Sequence, residues 1–425
     1  MRLFDIRKQE LPALGWAAAW FFCVLAAYYT IRPVRETFAT ELSRDQRAAL
    51  FIWTLAVMLL ATPLYGLVVA RIAKKWLVMF VYGFFITNLM AFAFLLSNWG
   101  VQKWTSSAFF IWISVFNLFV VTLFWGTVVD LFSGDQGKRL FGLIFGAGTL
   151  GQFTSSWLVQ ELSHKIPMEG LLGVSVLFLI GSVFCSWQLR RLLQVQNLQS
   201  EVLAKVPGKS WLVAWQGVLA LARSPYLIGI CAFVTVISFC ATVAYFQMTD
   251  MVAAQLPEPE DRLRWFAKIN SSHALLTLVL QAAVVSWLLR KIGVGATLAL
   301  VPIVYCAGFA TFSWSQSLLV VGVFQVALRA VTFSLGNPAL EVLFTAVTPA
   351  QKYRAKAFID TVGKRTGDVL GAQGYAFLIS LGWLASNLSL ALLPILIAMV
   401  ALGLLMGSAH FDYVSENKRD WPKGE

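Results

Sequence analysis

The sequence predicts an all-α integral membrane protein, with twelve transmembrane helices arranged as two pseudo-symmetric halves of six. Three observations carry that prediction. The 425 residues are 59% hydrophobic and only 13% charged, with a mean hydropathy of +0.73, whereas soluble domains carry about 25% charged residues. Charge-free apolar windows long enough to cross a bilayer recur along the whole chain. Lys and Arg concentrate in alternate connecting segments, as the positive-inside rule requires of a polytopic protein.

The windows come in order. Residues 11–31, 48–70, 76–102, 104–129, 140–160 and 170–189 each suffice for one span. A basic, polar stretch from Arg190 to Arg223 follows, and then residues 224–249, 269–289, 292–312 and 317–340, the last interrupted by Arg329. The tail from Ala355 to about Ala409 is long enough for two spans, divided near Ser386 and Asn387. The expected organisation is a first half over 1–189, a linker over 190–223 and a second half over 224–425. Within the linker, SWLVAWQGVLALARS is apolar on one side with two Trp residues and reads as an interfacial helix.

With the N-terminus placed inside, inner segments hold 21 of the 33 basic residues, outer segments 9, and 3 (Arg329, Lys364, Arg365) fall within spans. Both termini are therefore expected on the cytoplasmic side. Spans three, six, nine and twelve contain no charge, while charges gather in or at the ends of spans one, four, five, ten and eleven. Every third helix is thus suited to lipid contact, as in a bundle of three-helix units nested in two halves. Shifting span five by 217 residues onto span eleven matches Phe141 with Phe358, Gly146 with Gly363 and Thr149 with Thr366, a weak internal similarity.

The net charge of +12 does not imply nucleic acid as a partner, because positive inner loops already make membrane proteins basic. The five cysteines (Cys23, Cys185, Cys231, Cys240, Cys306) lie in apolar stretches without paired or metal-type spacing and read as small hydrophobes. Tyr28 and Tyr29 follow the first apolar run where a signal-peptide cleavage site needs small residues, so that run is expected to be retained. There is no HExxH, no His or Cys cluster, no phosphate-binding glycine loop and no nucleophile paired with a base. No catalytic residue, metal or cofactor is expected. A lone His273 between Ser272 and Ala274 reads as a hydrogen-bonded structural residue, with a proton relay as the alternative.

The charges inside apolar segments carry the functional reading, because a charge at the middle of a span costs roughly 2.5–3.5 kcal/mol even on a lenient scale. In QKYRAKAFIDTVGKRTGDVLGAQG, Lys356, Asp360, Lys364 and Asp368 recur at steps of four, with Arg365 beside them. Four residues advance a helix by about 400°, so this ladder drifts slowly round one side. It reads as the charged wall of a solute path. Gly363, Gly367 and Gly371 form a second stripe of the kind that lets two membrane helices approach closely.

A second constellation is Tyr28-Tyr29-Thr30-Ile31-Arg32-Pro33-Val34-Arg35-Glu36, where Arg32 and Arg35 lie three apart on one face. Two guanidiniums beside phenols make a receptor for phosphate or carboxylate. The bland alternative is that these charges mark the membrane edge, with Glu36 paired to an Arg. Between spans four and five, Asp130 could pair with Arg139 or Arg71 to latch the cytoplasmic side, with Lys138 nearby, or the loop could be a solvated turn. The counterpart in the second half would be Glu341 with Arg354, near Lys356. Arg329 in span ten should face the central cavity or meet Asp360 or Asp368.

YYTIRPVRETF, FWGTVVDLFSGDQGKRLFGLIFGAGTLG and KYRAKAFIDTVGKRTGDVLG resemble the ATP/ADP translocase (nucleotide transporter) family, and Gly66 to Lys75 resembles the loop motif of major facilitator carriers, with Ala70 and Ala73 replacing its Asp and second Gly. The resemblance implies a major-facilitator-type carrier that exchanges nucleotides, including ATP, across a membrane. The family's basic residue after the first span falls on Arg35, its preceding Arg on Arg32 and its Asp on Glu36. Its glutamate in span four falls near Ile113 and its acid in span seven near Tyr245, both uncharged here, and its lysine in span eleven falls on or near Asp368, with the sign reversed. The expectation is a bacterial inner-membrane secondary transporter, a monomer, that moves a small anionic solute (a nucleotide or another phosphorylated metabolite). Substrate would meet Tyr29, Arg32, Arg35, Glu36, Arg329, Asp360, Lys364, Arg365 and Asp368. Arg71, Asp130, Lys138, Arg139, Glu341, Arg354 and Lys356 would gate the cytoplasmic side. A carrier of a different organic solute, or a receptor that kept the carrier fold, are the alternatives.

Overall fold

In the computed structural model, residues 10–132, 134–195, 224–347, 355–356 and 358–419 are described, and these are almost wholly helical, without strands. The interfacial segment expected within the linker, apart from Ser224, lies outside them. The helices are α1 (Leu11–Thr40), α2 (Arg44–Arg71), α3 (Lys74–Trp99), α4 (Lys103–Leu131), α5 (Gly134–Leu162), α6 (Met168–Val195), α7 (Pro225–Gln255) and α8 (Pro259–Ala283). After a break at Val284 come the short α9 (Val285–Lys291), then α10 (Gly293–Trp314) and α11 (Leu318–Val331). A π-helical turn over Thr332–Gly336 leads into α12 (Asn337–Leu343), and a second over Ile359–Gly363 leads into α13 (Lys364–Ser380). The last helix is α14 (Ala385–Arg419).

Helices run past the charge-free windows where a partner offsets the charge. α8 begins ten residues before the window at 269 because Arg262, in its first turn, donates to the Glu41 carboxylate and the Thr40 hydroxyl at the end of α1. The break in the tail falls at Leu381–Leu384, a few residues before Ser386. Among the described residues nine helices are long and apolar enough to cross a membrane. The helices α5, α8 and α13 fall outside that set: α5 is rich in Gly, Thr, Ser and Gln, α8 carries a charged first turn, and α13 has 17 residues.

The chain divides into two compact units, neither a single stretch of sequence. Unit 1 comprises Met1–Leu42, Ala56–Pro207 and Leu256–Leu275, and unit 2 comprises Ser43–Leu55, Gly208–Gln255 and Leu276–Glu425. The first turns of α2 are thus grouped with unit 2, and most of α8 with unit 1.

In unit 1, α1 packs on α4, α5 and α6, and α3 packs on α4 and α6. In unit 2, α7 packs on α11, α13 and α14, and α10 packs on α11 and α14. The same pairing is therefore used twice, span for span. Aromatic contacts fill unit 1: Trp20 meets Phe124 edge-on at 5.0 Å, and Phe21 stacks on Phe124 at 4.4 Å. Such pairs contribute about 0.5–1.5 kcal/mol beyond area burial, which counts where lipid removes the usual hydrophobic drive. In unit 2, the glycine stripe does what its spacing predicts. A Cβ on Gly367 would lie 2.2 Å from the Thr235 carbonyl oxygen of α7, and one on Gly371 2.6 Å from that of Phe239. The helices α3, α6, α10 and α14, whose spanning windows carry no charge, keep large apolar side chains exposed there, among them Phe94, Leu177, Ile303 and Leu405.

Candidate functional site

Two groups of charge sit within the helices, one in each unit. In unit 1, α1 runs unbroken through Pro33, which cannot donate to the Tyr29 carbonyl. Glu36 is buried, and two guanidiniums from its own helix turn towards it: Arg35 Nη2 lies 2.5 Å from its Oε1 and Arg32 Nε lies 3.6 Å away. Their i,i+4 and adjacent positions put all three groups at one level of α1. Aromatic rings hold the cations. Arg32 sits 5.3 Å from the centre of the Tyr29 ring and 6.0 Å from that of Tyr28, and donates to the Tyr29 hydroxyl at 3.2 Å. Arg35 lies 4.9 Å from the Phe110 ring of α4. One carboxylate thus faces two arginines of its own helix. That is the chemistry of an anion receptor.

The second group lies on α13 and its neighbours in unit 2. The four-step ladder is not the pairing that forms. Asp368 is bound by Arg365, 3.2 Å away, and accepts a hydrogen bond at 3.3 Å from Thr242 of α7. Lys356 pairs with Glu341 instead of Asp360. A π turn at Ile359–Gly363 lies between Lys356 and Lys364 and interrupts the regular helical period of the ladder. Asp360 and Lys364 are exposed, and neither forms an ion pair among the described residues. Arg329 is half-buried in the last turn of α11, directly before the other π turn.

The expected gate pairs are also different. Asp130 is bound by Lys74 at 2.6 Å, not by Arg139 or Arg71. Arg71 is exposed at the last residue of α2. α3 and α4 run antiparallel, which brings the first residue of α3 to the last turn of α4. Arg139 in the first turns of α5 pairs instead with Glu10 at 2.9 Å, and Gln136 donates to the same carboxylate. Glu341 is held by Lys356, and Arg354 and the Lys138 side chain lie outside the described residues.

Several polar contacts escaped the sequence reading. Glu10 is one, being buried just before α1. Asp250, at the end of α7, is another: it binds Arg44 and Arg47 of α2 and accepts from the Tyr375 hydroxyl at 3.0 Å. Acids at span ends, opposite unassigned arginines, were the available signal. His273 is buried and hydrogen-bonded to Gln152 of α5 at 2.8 Å. Among the described residues no group of three or more His, Cys, Asp or Glu side chains could hold a metal ion.

Buried charge within a helical membrane fold is a feature of polytopic proteins that handle polar solutes, and the fold itself is one that solved transporters share. The fold is shared with a bacterial homologue of the iron transporter ferroportin (TM-score 0.63, 11% identity, 95% of this chain and 98% of that one). It is shared also with the nucleoside transporter NupG (TM-score 0.61, 12% identity, 96% and 99%) and the POT family transporter PepTSo (TM-score 0.61, 12% identity, 96% and 99%). In sequence, the chain is similar to ADP,ATP carrier protein 1 of Chlamydia trachomatis serovar D, 22% identical over 336 residues, or 70% of this chain. The match spans 63% of the length of that relative. No protein-family model matches the chain. The weak homology and the fold together support the resemblance to nucleotide carriers, and these relatives are transporters, not enzymes.

Proposed function

We propose that this protein is a secondary transporter that moves a small anionic solute, a nucleotide or another phosphorylated metabolite, by alternating access. The observation that carries this reading is the convergence of Arg32 and Arg35 on the single buried carboxylate of Glu36. Guanidiniums within an apolar helix carry a desolvation cost that an anionic partner offsets. The nucleotide carrier and the nucleoside transporter among the relatives support a solute of that size and kind. Twelve spans in two six-helix halves, both termini on the cytoplasmic side of a bacterial inner membrane, and a monomeric state complete the proposal. The span-for-span repetition of helix pairing supports the first of these. Transport proceeds as exchange for another anion or as proton coupling.

A second reading, a carrier of a different organic solute, is favoured by two positions. Ile113 and Tyr245 stand where the resembling family has acids, and Ile113 is wholly buried in the apolar core of unit 1. Proteoliposomes loaded with unlabelled nucleotide and offered labelled ATP, ADP and sugar phosphates separate the readings. Uptake of a phosphorylated solute that Arg35→Ala abolishes supports the first. Flux of neutral or cationic solutes alone rejects it, and binding without flux points to a receptor.

A further inference from the structure

Between α3 and α6 of unit 1 lies an open groove of about 400 Å³ with apolar walls. From α3 it is lined by Met79, Gly83 and Ile86, and from α6 by Ile180, Phe184 and Trp187. The spacings place each set along one stripe of its helix. Gly83 makes the room: a Cβ added there meets nothing within 4 Å.

The two helices run antiparallel. Phe38 and Tyr28 of α1 meet Phe109 and Phe116 of α4 in reversed order, and Phe92 and Phe85 of α3 meet the same two residues, so α1 and α3 are parallel. Along α6, Phe184 meets Trp16 and Ser175 donates to the Ala27 carbonyl, so α6 is antiparallel to both. The start of α3 and the end of α6 therefore lie at the same end of the groove.

That end is cationic. Lys75 stands four residues before Met79, and Arg191 four residues after Trp187, so each continues a lining stripe by one turn. Each cation lies over an aromatic ring: Lys75 Nζ is 5.7 Å from the Trp76 ring centre, and the Arg191 guanidinium 5.6 Å from that of Trp187. Both are exposed and neither has an ion-pair partner among the described residues. Lys74 and Arg190 share this end, where Asp130 is the acid that acts on both.

We propose that this groove is a binding site for an anionic phospholipid of the surrounding bilayer. One acyl chain lies along Met79, Gly83, Ile86 and Ile180, and the headgroup phosphate sits at Lys75 and Arg191 with Trp76 and Trp187 at the interfacial level. Charge complementarity selects the occupant. Lipid tails alone fill apolar walls without preference, whereas two unpaired cations at the mouth attract a net negative headgroup over a zwitterionic one.

The test uses full-length protein in nanodiscs of equal phosphatidylglycerol and phosphatidylcholine, released into native mass spectrometry. The wild type is expected to retain one phosphatidylglycerol in preference to phosphatidylcholine. The double variant Lys75→Gln/Arg191→Gln lowers that preference about thirtyfold, as two interfacial cations imply. Gly83→Leu fills the groove and removes the retained lipid of either kind while leaving the melting temperature in place. Arg290→Gln/Lys291→Gln, a basic pair on α9 that does not line this groove, keeps the preference. Equal retention of both lipids by the wild type overturns the proposal, as does an unchanged ratio in the Lys75/Arg191 variant. A drop of the same size in the Arg290/Lys291 variant, or a stable dimer crosslinked through α3 and α6, overturns it as well.

Discussion

Arg47, in the first turn of α2, is ion-paired with Asp250 at the far end of α7. The Arg47 side chain is 5% exposed and that of Asp250 15%. The same guanidinium donates to the Thr249 hydroxyl, and the Asp250 carboxylate also receives the Tyr375 hydroxyl and Arg44. Removing Arg47 takes the buried partner from Asp250 and leaves it the half-exposed Arg44 and the Tyr375 hydroxyl. Arg47→Ala is therefore expected to destabilise the protein by about 3–5 kcal/mol. Arg44, half-exposed at the same carboxylate, should cost under about 1 kcal/mol when replaced by Ala. Thermal unfolding of the two variants in detergent compares them, and equal losses would show that burial does not set the strength of this cluster.

Backbone contact between α13 and α7 depends on having no side chain at Gly367. Gly367→Val places its Cβ against the Thr235 carbonyl oxygen, so the helices must separate and lose packing that lipid does not replace. A loss of roughly 2 kcal/mol or more is expected, on the scale of overpacked cores, visible as a lowered melting temperature and poor recovery from the membrane. Gly142→Ala, where an added Cβ meets nothing within 4 Å, should leave stability within about 0.5 kcal/mol or raise it.

Arg35 and Arg32 differ in what surrounds them, and substitution should separate charge from geometry. Arg35→Lys keeps the positive charge but loses the planar fork that meets Glu36 and packs on Phe110. Uptake of a phosphorylated solute into proteoliposomes is expected to fall by about tenfold for Arg35→Lys and by a hundredfold or more for Arg35→Ala, on the scale of one or two charge-assisted hydrogen bonds. Full activity in Arg35→Ala would remove this residue from the path.

The exposed pairs Lys74–Asp130 and Lys356–Glu341 belong to another regime. Their side chains range from 33% to 64% exposed, so each is worth about 0–1 kcal/mol to stability. Asp130→Asn and Glu341→Gln should unfold close to the wild-type temperature. If these pairs also gate transport, uptake in the same variants changes without a matching change in melting temperature. Loss of both together would mark them as structural.

The sequence by itself determined where the helices are, which of them are wholly apolar, and which stripe of glycine lies against a neighbour. Those properties are local: a run of apolar residues is long enough to span or it is not, and glycine at steps of four marks one helix face whatever lies opposite. The charged group on α1 was legible for the same reason, since Arg32, Arg35 and Glu36 are within one turn of each other. Which charges pair across helices was decided only by the tertiary structure. Asp130 chose Lys74, Arg139 chose Glu10 and Arg47 chose Asp250, because helix packing brings together helix ends that are 56 to 203 residues apart in the chain. A single π turn at Ile359–Gly363 interrupts the regular 3.6-residue period between Lys356 and Lys364, and no property of the individual residues announces that extra residue in the turn.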